Sequence, residues 1–214
     1  MRLWNGWGNE DSDLTMELSD GLRALLEALV GSGTALSQAT LNEVIAKVPD
    51  TRLDDHPLIK TDPETRVRHA RGQSLPDWLE MHSGNVDTFP DGVAFPESSA
   101  QVQELLAHAK ENNLIVIPYG GGTSVVGHIN PETSDKPVLT IDMGKMNSML
   151  SIDVESQLAT FGAGAPGPMV EEELKKHGYT LGHFPQSWEL STLGGWVASR
   201  SSGQQSLHYG RIEN

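Results

Sequence analysis

Apolar positions along this chain recur at helical spacing in some stretches and in short runs in others, and their order lays out its plan. Leu22, Leu25, Leu26 and Leu29 stand at i, i+3, i+4 and i+7, which predicts an amphipathic helix over 19–30, capped by Ser19 or Asp20 and ended by Gly31-Ser32-Gly33. A shorter helix over 40–48 turns Leu41, Val44, Ile45 and Val48 inward and closes at Pro49. Residues 50–92 show neither period and are broken by prolines at 57, 63, 76 and 90. Then a βαβ unit begins. Val93-Ala94-Phe95 reads as a strand, Ser98 and Gln101 as a capping box, and Val102, Leu105, Leu106 and Ala109 as the buried stripe of the helix that follows. Leu114 to Pro118 is the return strand. Further strands are expected at 138–143, 149–153 and 157–161, and a helix at 169–176 with acids in its first turn and Lys175, Lys176 and His177 in its last, as the macrodipole favours. The pattern is α+β, a helical prelude followed by α/β units.

The return strand leads into Pro118-Tyr119-Gly120-Gly121-Gly122-Thr123-Ser124. Pro118 has no N–H and is expected to stop strand pairing. Consecutive glycines allow positive φ and remove every Cβ that would keep a ligand at a distance. Successive N–H groups turned into one concavity form an anion nest, most often for a phosphate, and Thr123 and Ser124 add hydroxyls beside it. Two familiar phosphate loops are excluded by spacing. Gly122 and Gly127 have the P-loop interval, but His128 and Ile129 stand where its lysine and hydroxyl belong. In a Rossmann fingerprint begun at Gly120 and Gly122, the third glycine would fall on Val125.

A second cluster of glycines and hydroxyls runs from Gly182 to Gly203. Ser187, Ser191, Thr192, Ser199, Ser201 and Ser202 are interleaved with Gly194, Gly195 and Gly203. Ser191-Thr192 ahead of 193–198 suggests a short capped helix whose N-terminus faces an anion. Two such clusters point to an extended diphosphate gripped from two sides. Elsewhere, Trp4 and Trp7 are expected to pack onto a surface groove. Arg66, Arg68, His69 and Arg71 read as a solvated segment paired with local acids, with an anion contact as the alternative.

Composition narrows the partners. Acidic side chains number 29 against 15 basic, a formal charge of −14, which disfavours nucleic acid or an anionic membrane surface as a partner. With no cysteine there is no disulfide, iron–sulfur cluster, thiol nucleophile or cysteinyl flavin link. No apolar run nears the length of a membrane span, and a soluble, cytoplasmic protein is expected.

The stretches P-Y-G-G-G-T-S, then G-H-F-P-Q-S-W-E-L-S-T-L-G-G-W-V-A-S-R-S-S-G and Y-G-R-I-E, resemble the PCMH-type FAD-binding domain of the vanillyl-alcohol-oxidase family. W-N-G-W-G and R-H-A-R-G-Q-S-L-P resemble its alkyldihydroxyacetonephosphate-synthase branch and bacterial FAD-linked oxidases. The resemblance implies two α/β subdomains making an FAD-binding domain over 89–214, preceded by a helical and extended region over 1–88. It implies cofactor contacts from Pro118, Tyr119, Gly120, Gly121, Gly122, Thr123 and Ser124, and from Gln186, Ser187, Trp188, Glu189, Leu190, Ser191 and Thr192. Ser199, Arg200, Ser201 and Ser202 would complete them, with Ile212 near the adenine or flavin edge. Some relatives tether FAD to a loop histidine; here Gly122-Thr123 stand at that place, so non-covalent FAD is expected, with His128 too far along the chain to substitute. The implied chemistry is oxidation of a 2-hydroxy acid or acyl-for-alkyl exchange on dihydroxyacetone phosphate. The substrate is a small molecule, a homodimer is compatible, and the catalytic residues are expected beyond Asn214. The competing reading is a non-catalytic phosphate-binding or assembly module.

Overall fold

A computed structural model describes residues 2–11 and 17–213; Asn214 lies outside them. Its helices are α1 (Asp20–Val30), α2 (Leu41–Ile45), α3 (Pro63–Arg68), α4 (Leu75–Ser83), α5 (Ser99–Glu111), α6 (Gly167–Lys176), α7 (Leu193–Ser199) and α8 (Ser206–Tyr209). Its strands are β1 (Ile59–Lys60), β2 (Gly92–Ala94), β3 (Ile115–Tyr119), β4 (Val138–Asp142), β5 (Met149–Asp153) and β6 (Leu158–Phe161).

The main sheet has the order β1-β2-β4-β3, with β4 inserted in parallel between the two strands of the predicted βαβ unit. Its central strand is buried almost throughout: Val138, Leu139 and Ile141 join Ala94 and Leu105 in the core. Asp91 fastens the β2–β4 edge from its own end. Its carboxylate accepts from the Val138 N–H at 2.7 Å and pairs with Arg52 at 2.7 Å. Burial raises the pKa of that carboxyl, but the Arg52 guanidinium and the Val138 N–H outweigh it and hold the group below its usual range. The β5–β6 hairpin is covered by α6 through Ile152, Phe161, Val170 and Leu174.

Several expectations change. The ladder does not stop at Pro118; it continues to Tyr119, opposite Asp142. β3 is an edge strand, so the missing N–H costs no pairing. In α5, Ser98 accepts from the Gln101 N–H, but the Gln101 side chain reaches Glu97 instead of Ser98, so the box is not reciprocal. Leu106 lies half exposed, outside the buried stripe of Leu105 and Ala109. The leucine stripe of α1 faces solvent, with no residue of that helix buried.

The proline-broken segment 50–92 supplies β1, α3 and α4, each helix started by a side-chain cap, Asp62 and Ser74. Arg66 and Arg71 are not solvated. Arg66 is 2% exposed and donates to the Pro90 carbonyl at 2.6 Å and the Pro49 carbonyl at 2.7 Å. Arg71 donates to the Thr88 and Ala70 carbonyls and pairs with Glu80 and Asp87. These arginines bind loops that have few backbone partners of their own.

Candidate cofactor site

β3 delivers the glycine loop at its carboxyl end, with the 190–192 segment directly against it. A Cβ on Gly121 would lie 2.0 Å from the Leu190 carbonyl oxygen, and one on Gly120 would lie 2.3 Å from Thr192 Oγ1. Gly122 has φ +68°, and its Cβ would meet the Tyr119 hydroxyl. No other residue type fits these positions without moving the neighbouring segment.

The loop's carbonyls are held from behind. Arg2 donates through Nη1 to the Gly121 carbonyl and through Nη2 to the Leu190 carbonyl. The Ser124 carbonyl accepts from the Gln73 N–H at 2.6 Å. Among the described residues, the N–H groups of Gly121, Gly122 and Thr123 have no acceptor within the chain. With the Gly121 carbonyl drawn to Arg2 and three successive N–H groups left without an acceptor, the loop has the makings of an anion nest.

Two cavities flank the loop. The front one, about 450 Å³, is lined by Pro118 to Ser124, His128, Ser187, Ser191, Thr192, Ser199 and Ser201. The rear one, about 400 Å³, is lined by Arg2, Trp4, Trp7, Arg68, His69 and Asp142 beside the same glycines. The groove that receives Trp4 and Trp7 is therefore the back of the nest, and the R-H-A-R-G-Q segment forms its floor. His69 links that floor to the sheet, with Nδ1 at 2.7 Å from the Thr65 carbonyl and Nε2 at 3.0 Å from Asp142. Burial, reinforced by Asp142 and opposed by Arg2, pushes the Tyr119 phenol up to about 12, so Tyr119 stays protonated.

The second cluster is built differently. The first N–H groups of α7 are already occupied: Leu193 donates to Ala165, Gly194 to Ala163, and Gly195 to the Thr192 hydroxyl. The expected anion-facing helix terminus is thus closed, because the 163–165 strand exit supplies the acceptors. Ser191 Oγ donates to the Ser187 carbonyl at 2.8 Å and accepts from Trp196 Nε1 at 2.7 Å. Ser199 donates to Gly195, and Ser201 lies 2.6 Å from His183 Nε2. Ser187 and Thr123 keep hydroxyls without a partner among the described residues. Burial lowers the pKa of His183, which favours its neutral form.

The remaining candidate residues are dispersed. Leu190 lines the rear cavity, while Gln186 and Glu189 face solvent. Trp188 packs against Gly167 and Phe184, with its buried indole N–H unpartnered. Arg200, in left-handed conformation, pairs with Glu213; Ser202 bridges to Arg211; the Ile212 N–H donates to the Ser201 carbonyl. His128 lies on the front wall, its Nδ1 3.1 Å from Ser124 Oγ, closer to the nest than its place in the sequence suggests. Sequence reasoning missed Arg2, Asp142 and His183, and read His69 as part of a solvated segment. Only their proximity in the fold identifies them.

A family model described as "FAD binding domain" matches residues 90–214. The chain belongs to that family. It is 41% identical over 156 residues to an alkyldihydroxyacetonephosphate synthase of Dictyostelium discoideum, which covers 73% of this chain and 26% of the relative. A solved structure of alkyldihydroxyacetonephosphate synthase superposes with a TM-score of 0.84 at 32% identity, over 99% of this chain and 44% of that one. Mitochondrial D-lactate dehydrogenase (cytochrome) 1 of Saccharomyces cerevisiae is 29% identical over 137 residues, 64% of this chain and 23% of that protein. The matched stretches thus span about a quarter of the length of these curated relatives.

FAD is the cofactor of this domain, and the residues fit it: a glycine-only cradle with forward donors opens on the front cavity. Bound there, FAD supplies redox chemistry that side chains lack. The loop N–H groups without an acceptor among the described residues would hold its diphosphate, residues of 187–201 would wall it, and Tyr119, on the cavity wall, stays protonated. Among the described residues no helix is long and apolar enough to cross a membrane, and no three His, Asp or Glu side chains gather where they could hold a metal ion.

Proposed function

We propose that this chain is the cofactor-holding part of a flavoenzyme that exchanges acyl for alkyl on a dihydroxyacetone phosphate ester. The observation that carries this reading is the likeness over 99% of the chain to a synthase structure. The experiment offers the full protein an acyl-dihydroxyacetone phosphate with a long-chain alcohol, and separately a D-2-hydroxy acid with a dye acceptor. The alkyl ether should form while the dye stays oxidised. Dye reduction without ether would favour the second reading, a 2-hydroxy-acid dehydrogenase, which the likeness to D-lactate dehydrogenase supports.

The FAD is held without a covalent bond. No cysteine is present, and Gly122-Thr123 occupy the loop position used by histidine-tethered relatives. Acid precipitation should release all flavin into the supernatant. Flavin left on the pellet would overturn this and make His128, on the cavity wall, the first residue to substitute.

A further inference from the structure

We propose that Arg2 is a positioning residue for the cofactor: its guanidinium fork clamps the glycine loop to the 190–192 segment and turns the Gly122 N–H forward. The inference rests on the FAD-cradle reading of the front cavity. The two carbonyls that Arg2 bridges, Gly121 and Leu190, lie far apart in sequence but belong to the two walls of one site. A planar guanidinium presents parallel donors that can reach two acceptors at once, whereas an ammonium acts as a point charge.

The geometry carries the consequence. The Gly121 carbonyl and the Gly122 N–H share one peptide, and no peptide among the described residues is cis. In a trans peptide these groups point in opposite directions. Drawing the carbonyl back to Arg2 therefore aims the Gly122 N–H forward, where it has no acceptor among the described residues. A carbonyl that accepts from a cation also polarises its peptide, which strengthens that N–H as a donor to an anion. Arg2 is itself held in place: the Arg2 carbonyl accepts from Arg68 Nη1 at 2.8 Å, and Arg2 bridges to Asn9 across the W-N-G-W-G turn. Arg68 is fixed in turn by Glu10 and Glu64.

The test compares the full chain with its Arg2→Ala and Arg2→Lys variants. FAD and ADP are titrated into each, and the amide spectra of the ligand-free proteins are recorded with Gly122 assigned. Arg2→Ala should weaken FAD and ADP alike by on the order of tenfold or more, since both carry the diphosphate. Arg2→Lys should recover only part of the loss, and the Gly122 amide should shift in both variants before any ligand is added. A lower melting temperature with unchanged affinity in the folded protein would reduce Arg2 to a stabilising contact and overturn the proposal. Full recovery by lysine would refute the fork. If Arg2→Ala does not fold, the lysine variant decides by the same criteria. Absence of FAD binding in every protein, the unaltered chain included, would instead refute the cradle reading. The ligand-free spectra then still decide the clamp, upheld by a shifted Gly122 amide and overturned by an unshifted one.

Discussion

The two walls of the cofactor cavity hold their polar groups in opposite ways. In the glycine loop the N–H groups of Gly121, Gly122 and Thr123 are free among the described residues, and the carbonyls are tied back by Arg2 and Gln73. In the 187–201 wall most donors are already bonded within the chain: Ser191 to Ser187, Trp196 to Ser191, Ser199 to Gly195, Leu193 and Gly194 to 163–165. One wall exposes its backbone to a ligand; the other uses its hydroxyls to hold itself in shape. Serines and threonines near a phosphate site are therefore not all phosphate ligands. A hydroxyl whose lone pairs and proton are spent inside the fold acts through shape, and its loss should be felt in stability before affinity.

The most severe way to break this contrast is to add a side chain to the first wall. Gly121→Val places a branched group where even a Cβ would be 2.0 Å from the Leu190 carbonyl oxygen. The walls must separate and the nest must open. FAD affinity measured by flavin fluorescence should fall by more than about a hundredfold. A Gly121→Val protein purified with a full flavin complement would show that the loop does not bind through close backbone approach.

A smaller, different effect is expected on the second wall. Ser191→Ala removes the acceptor of a buried indole N–H, because Trp196 is 3% exposed. An unpaired buried donor costs about 1–3 kcal/mol, a fall of several degrees in melting temperature for a chain of this size. FAD affinity in the folded protein should change less than twofold. A large loss of affinity at constant melting temperature would instead make Ser191 a direct ligand contact and erase the difference between the walls.

The contrast was only half legible in the sequence. Gly120 to Gly122 after an apolar run give the nest away, because few backbone conformations other than a close approach require consecutive glycines. The second cluster reads the same way in sequence, since composition cannot say whether a serine hydroxyl turns inward or outward. That depends on the strand exit at 163–165 and on Trp196, both brought there by tertiary packing. The floor behind the nest was hidden for another reason. Arg71 in that floor, like Arg66 just before it, is buried against carbonyls of loop residues, and neither helical nor strand periodicity marks such a site. Likewise the solvent-facing leucines of α1 have the spacing of a buried stripe, and the pattern alone does not tell what covers them.

The gentlest probe is pH, because His183, a titratable group with a shifted pKa, packs behind the second wall against Ser201 and Trp196. The residue is 4% exposed, its ring packs tilted against Trp196 with centroids 5.1 Å apart, and its Nε2 lies 2.6 Å from Ser201 Oγ. Burial lowers its pKa below that of an unfolded histidine, about 6.5. The sign follows from proton counting. Below that value the unfolded chain binds a proton that the folded chain resists, so stability falls as pH drops until the folded ring also titrates. Above it both states are neutral and the contribution is flat. Melting temperature should therefore decline on acidification from about pH 6.5, and His183→Gln, which cannot charge, should flatten that slope. Amide exchange should quicken at Ser201 and Trp196 before it quickens at Gly121 and Gly122. If both walls open together, or if His183→Gln keeps the full slope, the two walls are not separately stabilised and the acid response arises elsewhere.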